Sequence, residues 1–92
     1  MIERVVEIKN TYGLHARPSA ASVQVAGQFK SDIYIINDDK LANGKSIISI
    51  MVLAAECGSK IRLRVSGEDE EEAIKALVSL VNNKFNLREE DL

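Results

Sequence analysis

The stretch KIRLRVSGEDEEEAIKALVSLV, residues 60–81, contains a strand pattern followed directly by a helix pattern. Its first half alternates between apolar and basic side chains, the apolar ones being Ile61, Leu63 and Val65. An alternation of period two predicts a strand with one face on the core. Farther along, apolar residues recur at helical spacing, at Ile74, Leu77, Val78, Val81 and Phe85. This spacing predicts a helix with one apolar face.

The start of this helix carries signals of its own. Asp69 is predicted to be the N-cap, and Glu72, three residues later, completes the pattern of a capping box. The first turn is acidic throughout, which suits the positive end of the helix dipole. These signals predict that the helix begins directly after Asp69.

The other predicted elements lie on both sides of residues 60–81. Residues 2–8 alternate with Ile2, Val6 and Ile8 on one face, and SDIYIIN (31–37) and KLAN (40–43) have strand composition. A helix is predicted from Ala16 to about Gln28, ended by Gly27. A second helix is predicted over residues 47–57, with Ser46 as N-cap and Gly58 closing it.

The predicted order of elements is βαββαβα. Three helices on one face of a small sheet bury these apolar faces economically, so the prediction is an α+β two-layer sandwich. A chain of 92 residues has length for one modest core, which predicts a single domain over residues 1–92.

Composition argues against several classes of protein. The formal net charge is −2 and no basic block is present, which argues against nucleic-acid binding. Cys57 is the one cysteine, so neither an internal disulfide nor a Cys-based metal site is expected. The N-terminal stretch lacks a signal-peptide pattern, and the apolar run Ile50–Ala55 is too short to span a membrane. These features predict a soluble, cytoplasmic protein, and we expect it to be a monomer.

The segment GLHARPSA, residues 13–20, places the single histidine at a helix start. His15 departs from the N-cap preference for short polar side chains, and such departures often mark function. The backbone N–H groups that follow, with Arg17, form a natural seat for an anion, and the dipole favours a neutral, nucleophilic imidazole. The alternative is an exposed turn residue before a helix that Pro18 begins. A metal site has less support, because no second histidine and no nearby thiolate is present.

GLHARPSA, NGKSIISIMVLA (43–54) and GSKIRLRVSGEDEEEAIKALVSLV (58–81) resemble segments of the HPr family. These are histidine-containing phosphocarriers of the bacterial phosphoenolpyruvate-dependent phosphotransferase system. The resemblance implies an open-faced sandwich, a four-stranded antiparallel sheet covered by three helices. It also implies phosphorylation of His15 through Nδ1, with Arg17 and the N–H groups of Ala16 and Arg17 holding the phosphoryl group. The phosphoryl group would come from enzyme I and pass to a IIA domain, by a carrier with no cofactor or metal.

The second predicted helix is apolar nearly all round. Ile50, Leu53 and Ala54 are predicted to face the core, which leaves other apolar residues at the surface. The resemblance implies that partners dock on the residues Ala20, Ile47, Ile48 and Met51. Ser46 matches a position that a dedicated kinase phosphorylates in some family members, although a plain N-cap serine explains it equally well.

Two further functions stay open beside sugar uptake. One is a regulatory phosphorelay of the nitrogen-related type, with the same His15 chemistry and no sugar transported. The other is a binding module for metabolic or transcription regulators, switched at Ser46. Departures from the usual family pattern, at Gln24, Gly27, Ile48 and Ser49, leave the identity of the IIA partner open.

Overall fold

The structure is a computed structural model that describes residues 1–88, so residues 89–92 of the predicted domain lie outside it. Its strands and helices follow the predicted order. They are β1 (Ile2–Glu7), α1 (Ala16–Ala26), β2 (Asp32–Asn37), β3 (Lys40–Asn43), α2 (Ile47–Val52), β4 (Lys60–Ser66) and α3 (Glu70–Asn82). A short 3-10 turn, Lys84–Asn86, follows α3.

The four strands form one antiparallel sheet in the order β1-β4-β2-β3. Strand β4 lies at the centre, where Leu63 pairs with Ile35, and Val65 pairs with Ile33. These four side chains are almost fully buried, and the burial of Leu63 and Val65 is what the alternation in residues 60–66 predicts. Helix α3 packs on β1 and β4, and α1 packs on α2 and α3. The predicted open-faced α+β sandwich is confirmed.

The length predicted for the second helix is wrong. Helix α2 ends at Val52 with Leu53 as its C-cap, five residues before the predicted end. Ala54 lies in the left-handed region, with φ 52°, which stops the helix. Its side chain is exposed, and Ala55 is buried in its place. The carbonyl of Ala55 then accepts a hydrogen bond from Leu14 N–H at 2.9 Å, so a tertiary contact outweighs helix propensity.

The predicted capping box at α3 is also wrong. Asp69 precedes the helix as predicted, but its side chain makes no capping hydrogen bond. Its carboxylate accepts instead from the backbone N–H of Lys30 at 2.8 Å and of Ser31 at 3.0 Å, and from the Ser31 hydroxyl at 2.5 Å. These bonds tie the segment before β2 to the start of α3. The Ser31 hydroxyl is the first cause of a pKa of Asp69 below its ordinary value of 3.8.

We expect Asp69→Asn to lower the midpoint of thermal unfolding at pH 7, because three donors lose their charged acceptor. A carboxyl with a lowered folded-state pKa stabilises the fold above its unfolded pKa, and that contribution is lost as pH falls through the folded value. The difference in unfolding midpoint between the wild-type protein and Asp69→Asn should therefore be constant near neutral pH and become smaller below about pH 3.8. Unfolding curves measured from pH 7 to pH 2 check this, and a gap that widens in acid contradicts it.

The ends of α1 and α3 differ from prediction by small amounts. Helix α1 ends at Ala26 rather than near Gln28, with Gly27 as the C-cap as predicted. Helix α3 ends at Asn82, so Phe85 belongs to the separate 3-10 turn rather than to the helix. Phe85 reaches the core because the turn takes positive φ, 59° at Phe85 itself, and folds the ring back inward.

Candidate functional site

A tight loop before α1 sets the position of His15. The buried Asn10 donates from Nδ2 to the carbonyl of Gly13 at 2.6 Å, and Gly13 N–H donates to the Asn10 carbonyl at 3.2 Å. Leu14 is buried and donates its N–H to Ala55 after α2. Gly13 has φ 66°, and a Cβ there would overlap the backbone of Ala55 and Glu56. The loop is thus held from both sides directly before the histidine.

His15 is the N-cap residue of α1, as predicted, and its side chain makes no capping hydrogen bond. Its carbonyl accepts the first helical bond, from Ser19 N–H at 3.1 Å. Pro18 is buried in the first turn, where a missing N–H costs nothing. Ala16 and Arg17 are exposed, and their N–H groups lie in the turn for which a helix provides no acceptor. Backbone donors of the first turn therefore lie at the surface directly after the histidine, and the side chain of Arg17 is exposed in the same turn.

The imidazole of His15 is half-buried, and its two nitrogens differ in their surroundings. Nε2 is buried and makes no hydrogen bond within residues 1–88. The ring of Tyr12 lies edge-on to the imidazole, with ring centroids 6.0 Å apart and planes at 83°. Tyr12 itself is 71% exposed. The sequence analysis missed this residue; an aromatic side chain three positions before the histidine was the available signal.

Helix α2 presents an apolar surface beside α1. Its exposed side chains are Ile47, Ile48, Met51 and Val52, while Ile50 is fully buried. Ile48 and Val52, at 76% and 68% exposure, are neighbours at helical spacing i and i+4. The exposure predicted for this helix is confirmed, and Val52 is an additional member that the spacing could have revealed. Ala20 is half-buried on the neighbouring helix α1.

Ser46 is the N-cap of α2, as predicted. Its hydroxyl accepts from Ser49 N–H at 3.3 Å, and the Ser49 hydroxyl accepts from Asn43 N–H at 2.8 Å. The segment after α2 contacts the loop before His15, through Ala55 and Leu14. Ser46 lies at the other end of the helix, so about 9 Å of helix separates it from that contact.

We also searched the described residues for a metal site, a ligand cavity and a membrane-spanning helix. Within residues 1–88, no group of three or more His, Cys, Asp or Glu side chains could hold a metal ion. A groove of about 630 Å³ lies between β1 and α3 and contains none of the predicted site residues. No helix in this part of the chain has the length and apolar character needed to cross a membrane.

Known proteins match both the sequence and the fold. Residues 2–83 match the family model described as the PTS HPr component phosphorylation site. The phosphocarrier protein HPr of Neisseria meningitidis serogroup A is 46% identical over 85 residues, which cover 92% of this chain and 96% of that protein. A crystal structure of HPr from Thermoanaerobacter tengcongensis superposes with a TM-score of 0.91 at 50% identity, covering 96% of this chain and 99% of that one.

Two other solved structures show variety among the relatives. An HPr dimer from Thermoanaerobacter tengcongensis has a TM-score of 0.74 at 52% identity and covers 92% of this chain and 98% of that one. Crh, described as the Bacillus subtilis catabolite repression HPr, has a TM-score of 0.64 at 41% identity and covers 87% of this chain and 95% of that one. Family model, sequence identity and fold agree, and the chain belongs to the HPr family of phosphocarrier proteins of the phosphotransferase system.

Proposed function

We propose that residues 1–92 form one phosphocarrier domain that accepts a phosphoryl group on Nδ1 of His15 and passes it on. The donor is the phosphohistidine of enzyme I, and the acceptor is a histidine of an enzyme IIA domain in sugar uptake. The observation that carries this proposal is the burial of Nε2 in a half-exposed ring at a helix start. A phosphoryl group that arrives on another protein can reach the remaining nitrogen, Nδ1.

The chemistry needs positioning and charge stabilisation rather than a set of catalytic groups. Neutral His15 with its proton on Nε2 offers the lone pair of Nδ1 in line with the donor's P–N bond. That bond breaks as the new P–N bond forms, and the electron pair returns to the donor imidazole. The transferred group then lies beside the N–H groups of Ala16 and Arg17 at the positive end of α1. The exposed Arg17 guanidinium adds bidentate contacts to the phosphoryl oxygens.

The apolar surface of α2 is the proposed docking face for both partners. Ala20, Ile47, Ile48 and Met51 contact the partner, and Val52 extends the same face. A flexible methionine suits a surface that meets enzyme I and a IIA domain in turn. We propose that the monomer is the form that docks; the dimer seen for a relative makes the oligomeric state a quantity to measure.

The test is phosphorylation in solution, followed by intact mass. The protein is mixed with phosphoenolpyruvate and enzyme I, and its mass is measured before and after mild acid, which cleaves phosphohistidine. One added phosphoryl group that acid removes supports the carrier function. An unchanged mass with two enzymes I from different HPr-containing bacteria contradicts it.

We propose regulation as a second function, with Ser46 as its switch; a regulatory role has support from the relative described as the Bacillus subtilis catabolite repression HPr. Ser46 is half-buried at the start of α2, directly before the exposed Ile47 and Ile48. A phosphate placed there by a kinase would add negative charge to the edge of an apolar docking face. Docking of enzyme I would weaken, and a metabolic or transcription regulator with basic side chains could bind in its place.

We expect Ser46→Asp to raise the KM of enzyme I for this protein about tenfold, which corresponds to about 1.4 kcal/mol of docking free energy. Ser46→Asn is the matched control, because asparagine and aspartate are equally good N-caps and differ in charge. Steady-state phosphorylation kinetics of both variants measure the effect. Equal KM values for the two variants would show that charge at this position does not control docking.

The carrier function requires His15, whereas the binding-module function does not, and this difference distinguishes the two. Binding of a transcription regulator that survives His15→Ala and changes with Ser46→Asp supports a Ser46-switched module. For the nitrogen-related relay, the phosphorylated protein should pass its phosphoryl group to a regulatory IIA domain and not to a sugar-specific one. Incubating the phosphorylated protein with one IIA domain of each type distinguishes the two destinations.

A further inference from the structure

Tyr12 is an exposed aromatic residue in contact with the imidazole of His15. Its ring is 71% exposed, and it lies edge-on to the imidazole at a centroid distance of 6.0 Å. Edge-to-face pairs at this separation are attractive beyond the area that they bury. An exposed large aromatic at this place therefore has a specific neighbour, and that neighbour is the proposed phosphoryl acceptor.

Within the described part of the chain, no hydrogen bond to Nε2 fixes the imidazole ring of His15. In most sites one ring nitrogen is held by a hydrogen bond, and that bond sets which nitrogen faces the reaction. In His15, Nε2 is buried without a hydrogen-bond partner within residues 1–88, and the side chain makes no bond to the helix it caps. Ring orientation must then come from packing.

The position of Tyr12 is itself well defined. Residues on both sides of it are tied together, since Asn10 and Gly13 exchange hydrogen bonds across the turn. Gly13 is confined by the backbone of Ala55 and Glu56. The loop therefore presents the Tyr12 ring to the imidazole from a fixed backbone, which is what a positioning contact requires.

We propose that Tyr12 is a positioning residue that holds the imidazole of His15 with Nε2 inward and Nδ1 outward. This inference rests on the proposed function, in that His15 is the residue that reacts. Without the Tyr12 ring, the imidazole can turn about its Cβ–Cγ bond, and a torsion of this kind has two broad minima. The turned ring presents Nε2 to the phosphoryl donor, and the fraction of molecules ready to react through Nδ1 falls.

The test uses phosphoramidate, a small donor that transfers its phosphoryl group to an imidazole nitrogen and releases ammonia. NMR then measures the ratio of Nδ1 to Nε2 phosphorylation on His15. We expect Tyr12→Ala to lower this ratio about two- to tenfold, the range given by an aromatic pair interaction. Tyr12→Phe keeps the ring and should keep the wild-type ratio. Leu41→Ala removes another large exposed apolar side chain, from β3, and should leave the ratio unchanged.

An unchanged ratio in Tyr12→Ala overturns the inference, and so does a Tyr12→Phe variant that behaves like Tyr12→Ala. Because phosphoramidate needs no partner protein, the result does not depend on enzyme I. If enzyme I leaves the wild-type protein unmodified, the proposed function is contradicted. If Tyr12→Ala nevertheless shows a lower ratio of Nδ1 to Nε2 phosphorylation with phosphoramidate, the positioning role is still supported. With active enzyme I, Tyr12→Ala should lower kcat in proportion to the fraction of molecules that keep Nδ1 outward, a smaller change than that of the ratio, and leave KM unchanged.

Discussion

His15→Ala is expected to reduce phosphoryl acceptance from enzyme I to below detection while the protein stays folded. The substitution removes the proposed nucleophile, and the single histidine of the chain leaves no other imidazole to replace it. Stability should change by about 1 kcal/mol or less, because the side chain makes no capping hydrogen bond and loses one aromatic contact. Intact mass after incubation with phosphoenolpyruvate and enzyme I, together with a denaturant unfolding curve, measures both effects.

Arg17→Ala is the comparison variant for this experiment. It removes a cationic contact to the phosphoryl group and keeps the nucleophile, so transfer should slow and still reach completion. A His15→Ala protein that acquires an acid-labile phosphoryl group would place the nucleophile elsewhere. A His15→Ala protein that unfolds would show that the imidazole also supports the fold, although its Nε2 has no hydrogen-bond partner within residues 1–88.

Local periodicity was sufficient to predict the central part of the fold. In residues 60–66 the alternation predicted a strand, and its inward residues Ile61, Leu63 and Val65 are almost fully buried. The helix after it was predicted with its start and with the buried positions Ile74 and Leu77. These elements were predictable because one face of each is apolar at a period that matches its backbone geometry.

The errors arise where a distant contact decides the local structure. Residues 53–57 include two alanines and have helical composition, yet the chain turns at Ala54 and Ala55 bonds to Leu14. At Asp69 the sequence carried a capping signal, and the carboxylate instead accepts from Lys30 and Ser31, about forty positions earlier. No window of neighbouring residues contains the donors that outweigh these local preferences.

In the candidate site, too, some features follow from the local sequence and others from distant contacts. His15 was found because it breaks a local rule, the preference for short polar N-caps, and a broken rule is visible in sequence. The contact between Tyr12 and His15 depends on the turn at Gly13, and the burial of Nε2 depends on packing around the ring. Both are consequences of the tertiary fold. The sequence thus pointed to the proposed acceptor residue, and the structure added that one of its nitrogens, Nε2, is buried.

Gly13→Ala is expected to destabilise the fold by about 2–4 kcal/mol and to slow phosphoryl acceptance as well. Two costs add at this position. An alanine at φ 66° pays the penalty of the left-handed region, and its Cβ overlaps the carbonyl of Ala55 and the Cα of Glu56. Relief of that overlap must displace the loop from the segment after α2, which breaks the bond from Leu14 to Ala55 and moves His15. Denaturant unfolding and the rate of phosphorylation by enzyme I measure the two consequences.

Gly58→Ala is the matched control, because Gly58 also has positive φ, 91°, but no atom beyond its chain neighbours lies within 4 Å of the added Cβ. It should cost about 1–2 kcal/mol, the conformational penalty alone, and leave the phosphorylation rate unchanged. The difference between the two glycine variants therefore isolates the steric contact between the loop and Ala55. Equal losses of stability would mean that the overlap with Ala55 and Glu56 adds no cost to the conformational penalty, and the loop before His15 would then be held by the Asn10–Gly13 hydrogen bonds and the bond from Leu14 to Ala55.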